Sequence, residues 1–327
     1  MQGYLLRRIM QMIPTLFIIS ILIFILIQLP PGDIISSKIE ELQQQGQQVS
    51  SEQIEALRAQ YNLDDPMPVQ YFRWLFGMLH GDFGYSMIYD QPVNTLIWDR
   101  IGLTAMIAIL SLMFTWVVAL PIGIVSAVRQ YTLADYFFTL IGLIGISMPN
   151  FLLALVLMFL GYEWFGVSVG GLFSPQYMDA PWSIAKCVDL LKHIWIPMVV
   201  IGTAGTAGLM RVMRANLLDE LRKPYVVTAL AKGVKPLKLI IKYPVRLAIN
   251  PLISTLGFIL PRLISGAAIV SVVLNLPTTG PLLLESLMGQ DMYLAGSLIM
   301  MISVLTVIGI LLSDIALAIV DPRIRYE

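Results

Sequence analysis

The side chains that could support acid–base or metal chemistry are few in this chain and far apart in sequence. His80 and His193 are its only histidines, and Cys187 is its only cysteine. A single cysteine excludes an internal disulfide framework and a cysteine-rich metal site. We interpret each histidine as a hydrogen-bonded structural residue rather than a metal ligand.

The sequence also lacks motifs for nucleotide binding and hydrolysis. It contains no G-x-x-x-x-G-K-[ST] stretch, so it has no P-loop for ATP, and neither H-E-x-x-H nor G-x-S-x-G occurs. An intramembrane hydrolase would need paired carboxylates, or a serine with a base, inside the apolar stretches. The ionisable residues there are Arg262 and Asp314, on different predicted helices. For Arg262 we expect an aqueous path or a pairing across helices, and for the shallower Asp314 a helix-end role.

The composition is that of a membrane protein. Of the 327 residues, 57% are hydrophobic and only 13% are charged, and the mean hydropathy is +0.78. Such a chain is too apolar for a soluble domain of this size. The formal net charge of +0 gives no indication of a nucleic-acid partner.

A basic segment, residues 219–251, lies between two of the apolar stretches. Pro224 suits the first position of a helix, and Gly233 suits the left-handed residue that follows a helix end. These two residues predict a helix over residues 224–232. Pro236 begins a second predicted helix.

The second helix of this segment is predicted to bury Leu237, Ile240 and Ile241 on one face and to keep its lysines in water. Ala229 and Gly233 lie four residues apart, so the backbone of another protein could approach closely there. The segment is therefore either a docking surface or an ordinary cytoplasmic loop, since such loops are enriched in Lys and Arg in any case.

Six apolar stretches reach the length of about 20 residues that a membrane-spanning helix needs. Arg7 and Arg8 precede the first, as in a signal peptide, but that stretch is long and no A-x-A site follows it, so we expect it to be retained. The six predicted spans cover residues 9–29, 101–128, 136–160, 194–213, 247–275 and 293–319.

Some residues within these spans point to helix breaks and close packing. Pro121 and Pro149-Asn150 are predicted to interrupt their helices. The fourth span has a face of small residues, Gly202, Gly205 and Gly208, which lets helices approach closely. The polar residues predicted to face a central cavity are Asn150, Arg262 and Ser265, because polar groups are costly against lipid.

Residues 30–100 form a long polar excursion after the first span. Ser50 and Gln53 are similar to a capping box that begins a helix. A second amphipathic stretch, Val69 to Leu79, carries an aromatic stripe that we interpret as packing against neighbouring helices or the membrane surface. The excursion is therefore predicted to be a small folded cap rather than a linker.

The distribution of Lys and Arg predicts that both termini and residues 219–251 are cytoplasmic. In that topology the cytoplasmic segments carry fourteen of the 21 Lys and Arg residues, nine of them between Arg211 and Arg246. The external segments carry six, four of which lie in the long first loop, and long loops have little influence on topology.

The basic segment resembles the "EAA" coupling loop of bacterial ABC-importer permeases, and more narrowly that of the dipeptide/oligopeptide permease family. The likeness rests on Thr228-Ala229-Leu230-Ala231-Lys232-Gly233, followed by Asn250-Pro251, although this copy lacks the Glu that names the motif. In that family the loop fits a cleft on an ATPase subunit. The resemblance implies an ATPase-coupling role for Tyr225, Thr228, Ala229, Ala231, Lys232, Gly233 and Pro236.

Further motifs extend this resemblance over nearly the whole chain. It implies an all-α polytopic membrane protein similar to type I ABC-importer permeases, with six transmembrane helices and a small extracytoplasmic helical cap after helix 1. The motifs are Leu29-Pro30-Pro31-Gly32-Asp33, the run from Leu63-Asp64 to Gly81-Asp82-Phe83-Gly84, the run from Pro92-Val93 to Leu103-Thr104, Ser147-Met148-Pro149-Asn150-Phe151 and Asp321-Pro322-Arg323-Ile324-Arg325.

The resemblance also implies a location and partners. The expected location is the cytoplasmic (inner) membrane of a bacterium or archaeon. The expected partners are a homologous second permease, an extracytoplasmic solute-binding protein and two ABC ATPase subunits. ATP and Mg²⁺ would be bound by the ATPases, and no cofactor is expected in this chain.

The expected function is ATP-driven import of peptides by alternating access. After helix 5 the family usually carries a Glu and a Pro-Gly-x-Gly turn, whereas residues 271–280 here read SVVLNLPTTG. Oligosaccharides are therefore the alternative substrate, and an intramembrane enzyme or a channel is the alternative of a different class. We divide the chain into residues 1–30 with helix 1, a cap over 31–100, and a core permease domain over 101–327 with its coupling loop at 214–251.

Overall fold

The computed structural model describes residues 2–29, 65–165, 170–178, 180–254, 256 and 267–320, and most of them are helical. A two-stranded antiparallel hairpin pairs β1 (Tyr85–Ser86) with β2 (Gln91–Pro92), and a 3₁₀ turn covers Pro175–Tyr177. In chain order the helices are α1 (Gln2–Gln28), α2 (Met67–Leu79), α3 (Val93–Val128), α4 (Leu133–Ser147), α5 (Asn150–Phe165), α6 (Ile184–Leu221), α7 (Pro224–Ala231), α8 (Pro236–Lys242), α9 (Pro244–Ala248), α10 (Asn250–Ser254), α11 (Ala268–Val273), α12 (Thr279–Met288) and α13 (Met292–Val320).

Among the described residues, three helices are long and apolar enough to cross a membrane. They are Arg7–Gln28 within α1, α3, and Met292–Leu317 within α13, and the α4–α5 pair adds a fourth if it counts as one span. The fourth predicted span falls inside α6. The fifth, residues 247–275, lies partly outside the described residues, so the count of six spans stays a prediction.

The predicted span over residues 136–160 is not one straight helix. It is divided between α4 and α5, which meet at an angle of 104°. Met148, before Pro149, has an extended conformation with φ −87° and ψ 121°, because a proline ring disfavours helical geometry in the residue before it. The predicted interruption at Pro121 is wrong, since α3 continues through it. A long helix can tolerate one missing backbone hydrogen bond where neighbouring groups satisfy the freed carbonyl.

The chain divides into two compact units. The first comprises Met1–Gly102 and Thr278–Leu305, and the second comprises Leu103–Pro277 and Thr306–Glu327. Neither unit is continuous in sequence, and both α3 and α13 contribute residues to each. The predicted three-part division of the chain stays a prediction.

Among the described residues of the first unit, apolar side chains form two clusters. Ile23 and Phe24 of α1 pack with Tyr71 and Trp74 of α2 and with Met300 of α13. The second cluster joins the start of α3 to α12 and α13, and it consists of Val93, Leu96, Ile97, Leu282, Leu294 and Leu298. The aromatic stripe predicted for residues 69–79 is thus partly a packing face of α2, as expected.

A buried carboxylate holds the β-hairpin in the first unit. Asp291 is 1% exposed and accepts hydrogen bonds from the Ser86 hydroxyl at 2.6 Å and from the backbone N–H groups of Ile88 and Leu294. The Tyr89 hydroxyl donates to the Glu285 carboxylate. These contacts hold the hairpin in place. It lies between α2 and α3 in the chain and was not predicted from the sequence.

In the second unit, α6 packs closely against α3 at the predicted small face. A Cβ added to Gly202 would lie 2.6 Å from Phe114 Cδ1 and 3.1 Å from the Ser111 carbonyl oxygen. The Thr115 hydroxyl donates to the Gly202 carbonyl at 2.9 Å. A Cβ on Gly208 would meet nothing within 4 Å, so the close approach is at the N-terminal part of the glycine series.

A buried ion pair joins α4 to α6. Asp135 accepts two hydrogen bonds from the Arg214 guanidinium, at 2.9 Å from Nε and 2.8 Å from Nη2. The Tyr131 N–H donates to the same carboxylate at 3.0 Å. The Asp135 side chain is 3% exposed and that of Arg214 is 27% exposed. The carboxylate is therefore shielded from solvent, and the guanidinium remains partly accessible.

A second carboxylate ties the segment before α6 to its first turns. Burial by itself would raise the pKa of Asp189, but the Ser174 hydroxyl at 2.6 Å and the Ser174 N–H at 2.7 Å donate to it and hold its pKa below the ordinary value. A lowered folded-state pKa stabilises the fold above the unfolded pKa, and the contribution is lost as the pH falls through the folded value. The stabilisation that this contact gives to the fold is therefore lost only at acidic pH.

Candidate coupling surface

The basic segment begins with a tight turn between α6 and α7. Glu220 accepts a hydrogen bond from Lys223 Nζ at 2.6 Å and from the Tyr225 hydroxyl at 2.8 Å. Burial and the bond to Glu220 raise the pKa of Tyr225 well above its ordinary value, so the hydroxyl stays a donor at physiological pH. Lys223 is extended and Pro224 takes the first helical position, as predicted.

The turn after α7 is a Schellman motif. Gly233 has a positive φ of +77°, which is the left-handed conformation predicted for it. Its N–H donates to the Leu230 carbonyl at 2.9 Å, and the Val234 N–H donates to the Ala229 carbonyl at 3.3 Å. A Cβ added to Gly233 would meet nothing within 4 Å. The turn therefore projects from the protein rather than packing inside it.

The predicted orientation of α8 is wrong. Leu239 is the buried residue of this helix, at 2% exposure, whereas Leu237 is 72% and Ile241 is 59% exposed. Ile240 is partly buried as predicted. The apolar residues of α8 surround most of its circumference, so sequence periodicity does not select one face, and packing against α9 does.

The short helices after α8 connect the segment to α6. Val245 and Ala248 of α9 and Leu252 of α10 belong to an apolar cluster with Met213 and Leu217 of α6. The Asn216 amide donates to the Ala248 carbonyl at 3.2 Å. A displacement of α9 therefore acts directly on the last turns of α6.

Outside these anchors, α7 and α8 expose a mixed set of apolar and basic side chains. Val227 and Leu230 are 61% and 50% exposed, and they lie three residues apart on one face of α7. The lysines of α8 are exposed, as predicted. We use the name coupling surface for seven of these exposed residues in and between α7 and α8, namely Val227, Leu230, Lys232, Lys235, Leu237, Lys238 and Ile241.

This surface is suited to protein binding rather than catalysis. It combines apolar contact area with positive charge, which suits a partner groove that is apolar and lined by acidic groups. In the ranges that the structure describes, no group of three or more His, Cys, Asp or Glu could hold a metal ion. His80 Nδ1 lies 2.8 Å from the Phe76 carbonyl and His193 Nδ1 lies 2.8 Å from the Asp189 carbonyl, so both are hydrogen-bonded as predicted.

The other sequence-predicted coupling residues surround this surface. Tyr225 and Thr228 bond inside the segment, since the Thr228 hydroxyl donates to the Pro224 carbonyl at 3.0 Å. Thr228, Ala231, Gly233 and Pro236 are exposed, as is Lys232 of the coupling surface, and Ala229 is half-buried. Val226, Leu239 and Glu220, which anchor the segment, were not predicted. The sequence does carry one indication of the first turn, because Glu220 precedes two possible hydrogen-bond donors, Lys223 and Tyr225, by three and five residues.

The predicted pathway residues cannot be placed together. Asn150 is the half-buried first residue of α5, just after the break at Pro149. Arg262 and Ser265 lie outside the described residues. The prediction that these three side chains share a cavity stays a prediction.

Two family models match the chain over almost its entire length. The binding-protein-dependent transport system inner membrane component matches residues 119–326. The N-terminal model of binding-protein-dependent transport system membrane components matches residues 1–108. The first match alone includes the coupling surface and more than half of the chain.

Full-length relatives agree with these matches. The oligopeptide transport system permease protein AppB of Bacillus subtilis is 34% identical over 100% of both chains. A putative peptide permease protein of Brucella ovis is 35% identical over 99% of both chains. The glutathione transport system permease protein GsiC of Escherichia coli is 30% identical over 100% of both chains.

The coupling surface, the apolar helices and these matches agree on one kind of protein. A binding-protein-dependent system has partners by definition, namely a solute-binding protein and an ATPase that drives transport. The chain belongs to the family of binding-protein-dependent transport system inner membrane components, and it is a permease subunit of an ABC importer rather than an enzyme.

Proposed function

We propose that this permease forms half of the translocation path of an ATP-driven peptide importer. The names of its relatives, which are oligopeptide, peptide and glutathione permeases, favour peptides over oligosaccharides. A homologous second permease supplies the other half of the path. Both termini and the coupling surface face the cytoplasm, in agreement with the bias of Lys and Arg.

The observation that carries this proposal is the structure of α7 and α8. They project apolar and basic side chains from a segment whose base is fixed to α6 through Glu220, Asn216 and the cluster around Leu217. A surface that is exposed on one side and firmly anchored on the other can transmit movement of a bound ATPase to a transmembrane helix. The coupling residues around Gly233 are proposed to enter a cleft on that ATPase.

Six spans complete the proposed architecture. The three long apolar helices and the bent α4–α5 pair account for four of them. The middle of α6, over residues 194–213, and the stretch 247–275 supply the other two. Asn150, Arg262 and Ser265 are proposed to line the path.

Replacing Gly233 by valine tests the coupling role. The left-handed backbone strains the new side chain by about 1–2 kcal/mol, which is too little to unfold the permease. Because the added side chain points into open space in this chain, it would clash only with a partner. Loss of a central interface contact costs on the order of 2 kcal/mol, so ATPase binding should weaken roughly 30-fold. Co-purification of the ATPase and peptide uptake in proteoliposomes measure the effect.

Gly81→Val is the matched control. Gly81 has a φ of +83°, and a Cβ there also meets nothing within 4 Å, so the backbone strain is comparable. It lies between α2 and the β-hairpin, on the side predicted to be extracytoplasmic. The control should retain ATPase binding. Normal ATPase binding and uptake by well-expressed Gly233→Val would refute the coupling role.

A further inference from the structure

An apolar groove lies between α1 and α2 in the first unit. Its volume is about 480 Å³, within the range of about 300–1,000 Å³ that is usual for small-molecule sites. Most of its lining is aliphatic and aromatic, from Phe17 on α1 to Leu29 just after that helix and from Met67 to Phe72 along α2. The size and the lining together suit a flexible hydrocarbon.

The polar groups of the lining are already engaged by the protein. Gln28 Nε2 donates to Gln70 Oε1 at 3.0 Å and to Met292 Sδ at 3.1 Å. The Tyr71 hydroxyl lies 2.8 Å from the Ser20 hydroxyl in a buried hydrogen bond. Water and polar solutes need polar partners in a cavity, and desolvating them without such partners is costly. The groove therefore favours an apolar occupant.

The groove is continuous with the membrane-facing surface of α1. Arg7–Gln28 is a candidate membrane span, and two of its lining residues, Phe17 and Ile25, are 47% and 49% exposed. Membrane hydrocarbon is thus in direct reach of the groove. An empty groove would forfeit dispersion contacts along both walls, so a nearby chain of matching chemistry should fill it.

The outer face of α2 points to the same surroundings. Val69, Phe72, Phe76 and Leu79 are all exposed, and their spacing of three or four residues places them on one face of the helix. An exposed apolar face on an amphipathic helix is typical of a helix lying at the membrane interface. Phe72 belongs both to this face and to the groove, which makes the two surfaces continuous.

We propose that the groove binds one acyl chain of a membrane phospholipid, which packs between Ile25 of α1 and Phe72 of α2. The bound chain fills the space between the two helices that the side chains leave open. It thereby holds α2 against the membrane span that precedes it.

Photolabelling in vesicles tests this site. The full-length permease is reconstituted in phosphatidylethanolamine and phosphatidylglycerol vesicles that contain phosphatidylcholine with a diazirine at the end of one acyl chain. Label is expected on the peptide containing residues 67–72. Ile25→Trp should fill the groove and remove most of that label. Leu26→Trp, at a neighbouring position that is 63% exposed and outside the groove, should retain it.

A second probe identifies the occupant without a tryptophan that fills the groove. Benzoylphenylalanine placed at Phe72 should crosslink to phospholipid. Crosslinks to residues 30–64 or to a second polypeptide, in place of lipid, would overturn the proposal. Equal labelling of residues 67–72 in the two tryptophan variants, or no label there in the unmodified chain, would also overturn it.

Discussion

At the scale of single residues, the ion pair between Asp135 and Arg214 is the contact that a substitution should disturb most clearly. The carboxylate accepts a bidentate bond and a backbone N–H while almost fully buried. Removing one member of a buried pair leaves the other charge uncompensated, at a cost of about 3–5 kcal/mol. Removing both together avoids that penalty.

We expect Arg214→Gln to lower the free energy of unfolding by about 3 kcal/mol, because Asp135 then stays buried without its cation. The double variant Asp135→Asn with Arg214→Gln should lose less than the sum of the single losses. Thermal unfolding of the purified permease in detergent measures both. Lys223→Ala is the control, since its pair with Glu220 has a lysine side chain that is 51% exposed and should contribute at most about 1 kcal/mol. A loss for Arg214→Gln no larger than this control would contradict the assignment.

At the scale of helices, the residues that mark helix boundaries could be predicted from the sequence. The face that a short helix buries could not. Pro224 and Pro236 fix their own φ, and Gly233 can adopt the left-handed conformation that follows a helix end. The sequence therefore predicted where α7 begins and ends, to within one residue, and where α8 begins. The inward residue of α8, Leu239, was missed because several apolar residues of this seven-residue helix compete for one buried position. The outcome depends on α9, which no local pattern describes.

Contacts between distant segments were also beyond the sequence patterns. Asp135 and Arg214 are separated by 79 positions, and nothing local to either residue marks the other as a partner. The β-hairpin depends in the same way on Asp291, which is 205 positions from Ser86. By contrast, the coupling segment was found because its proline, glycine and lysine signals are contiguous.

The packing of α6 on α3 gives a prediction at this scale. Gly202→Val should lower the free energy of unfolding by about 1–3 kcal/mol through overpacking, since even its Cβ is too close to Phe114 and to the Ser111 carbonyl. Gly208→Val, on the same helix with open space around the new Cβ, should change it by less than about 1 kcal/mol. Thermal unfolding of the purified chain separates the two variants. Equal losses would mean that the close approach of α6 and α3 is not what requires glycine.

At the scale of the whole molecule, the proposed topology places Cys187 and Gly233 on opposite sides of the membrane. Both positions are exposed, so accessibility to a reagent depends on the side and not on burial. A membrane-impermeant maleimide should label Cys187 in intact spheroplasts. In a Cys187→Ser background, Gly233→Cys should be labelled only after permeabilisation. Labelling of that variant in intact spheroplasts would show that the orientation in the membrane is opposite to the proposed one.

The length of α6 has a mechanical consequence. Its 38 residues correspond to roughly 57 Å at a rise of 1.5 Å per residue, so a tilt of about 5° displaces one end by about 5 Å relative to the other. Ser174 holds Asp189 near the first turns, and the Ala248 carbonyl holds Asn216 near the last. Pro197 lacks a backbone N–H in between, so we expect the helix to bend most easily there. Pro197 lies closer to the first residue of α6 than to the last, so a bend there moves the end that carries the coupling surface further than the opposite end.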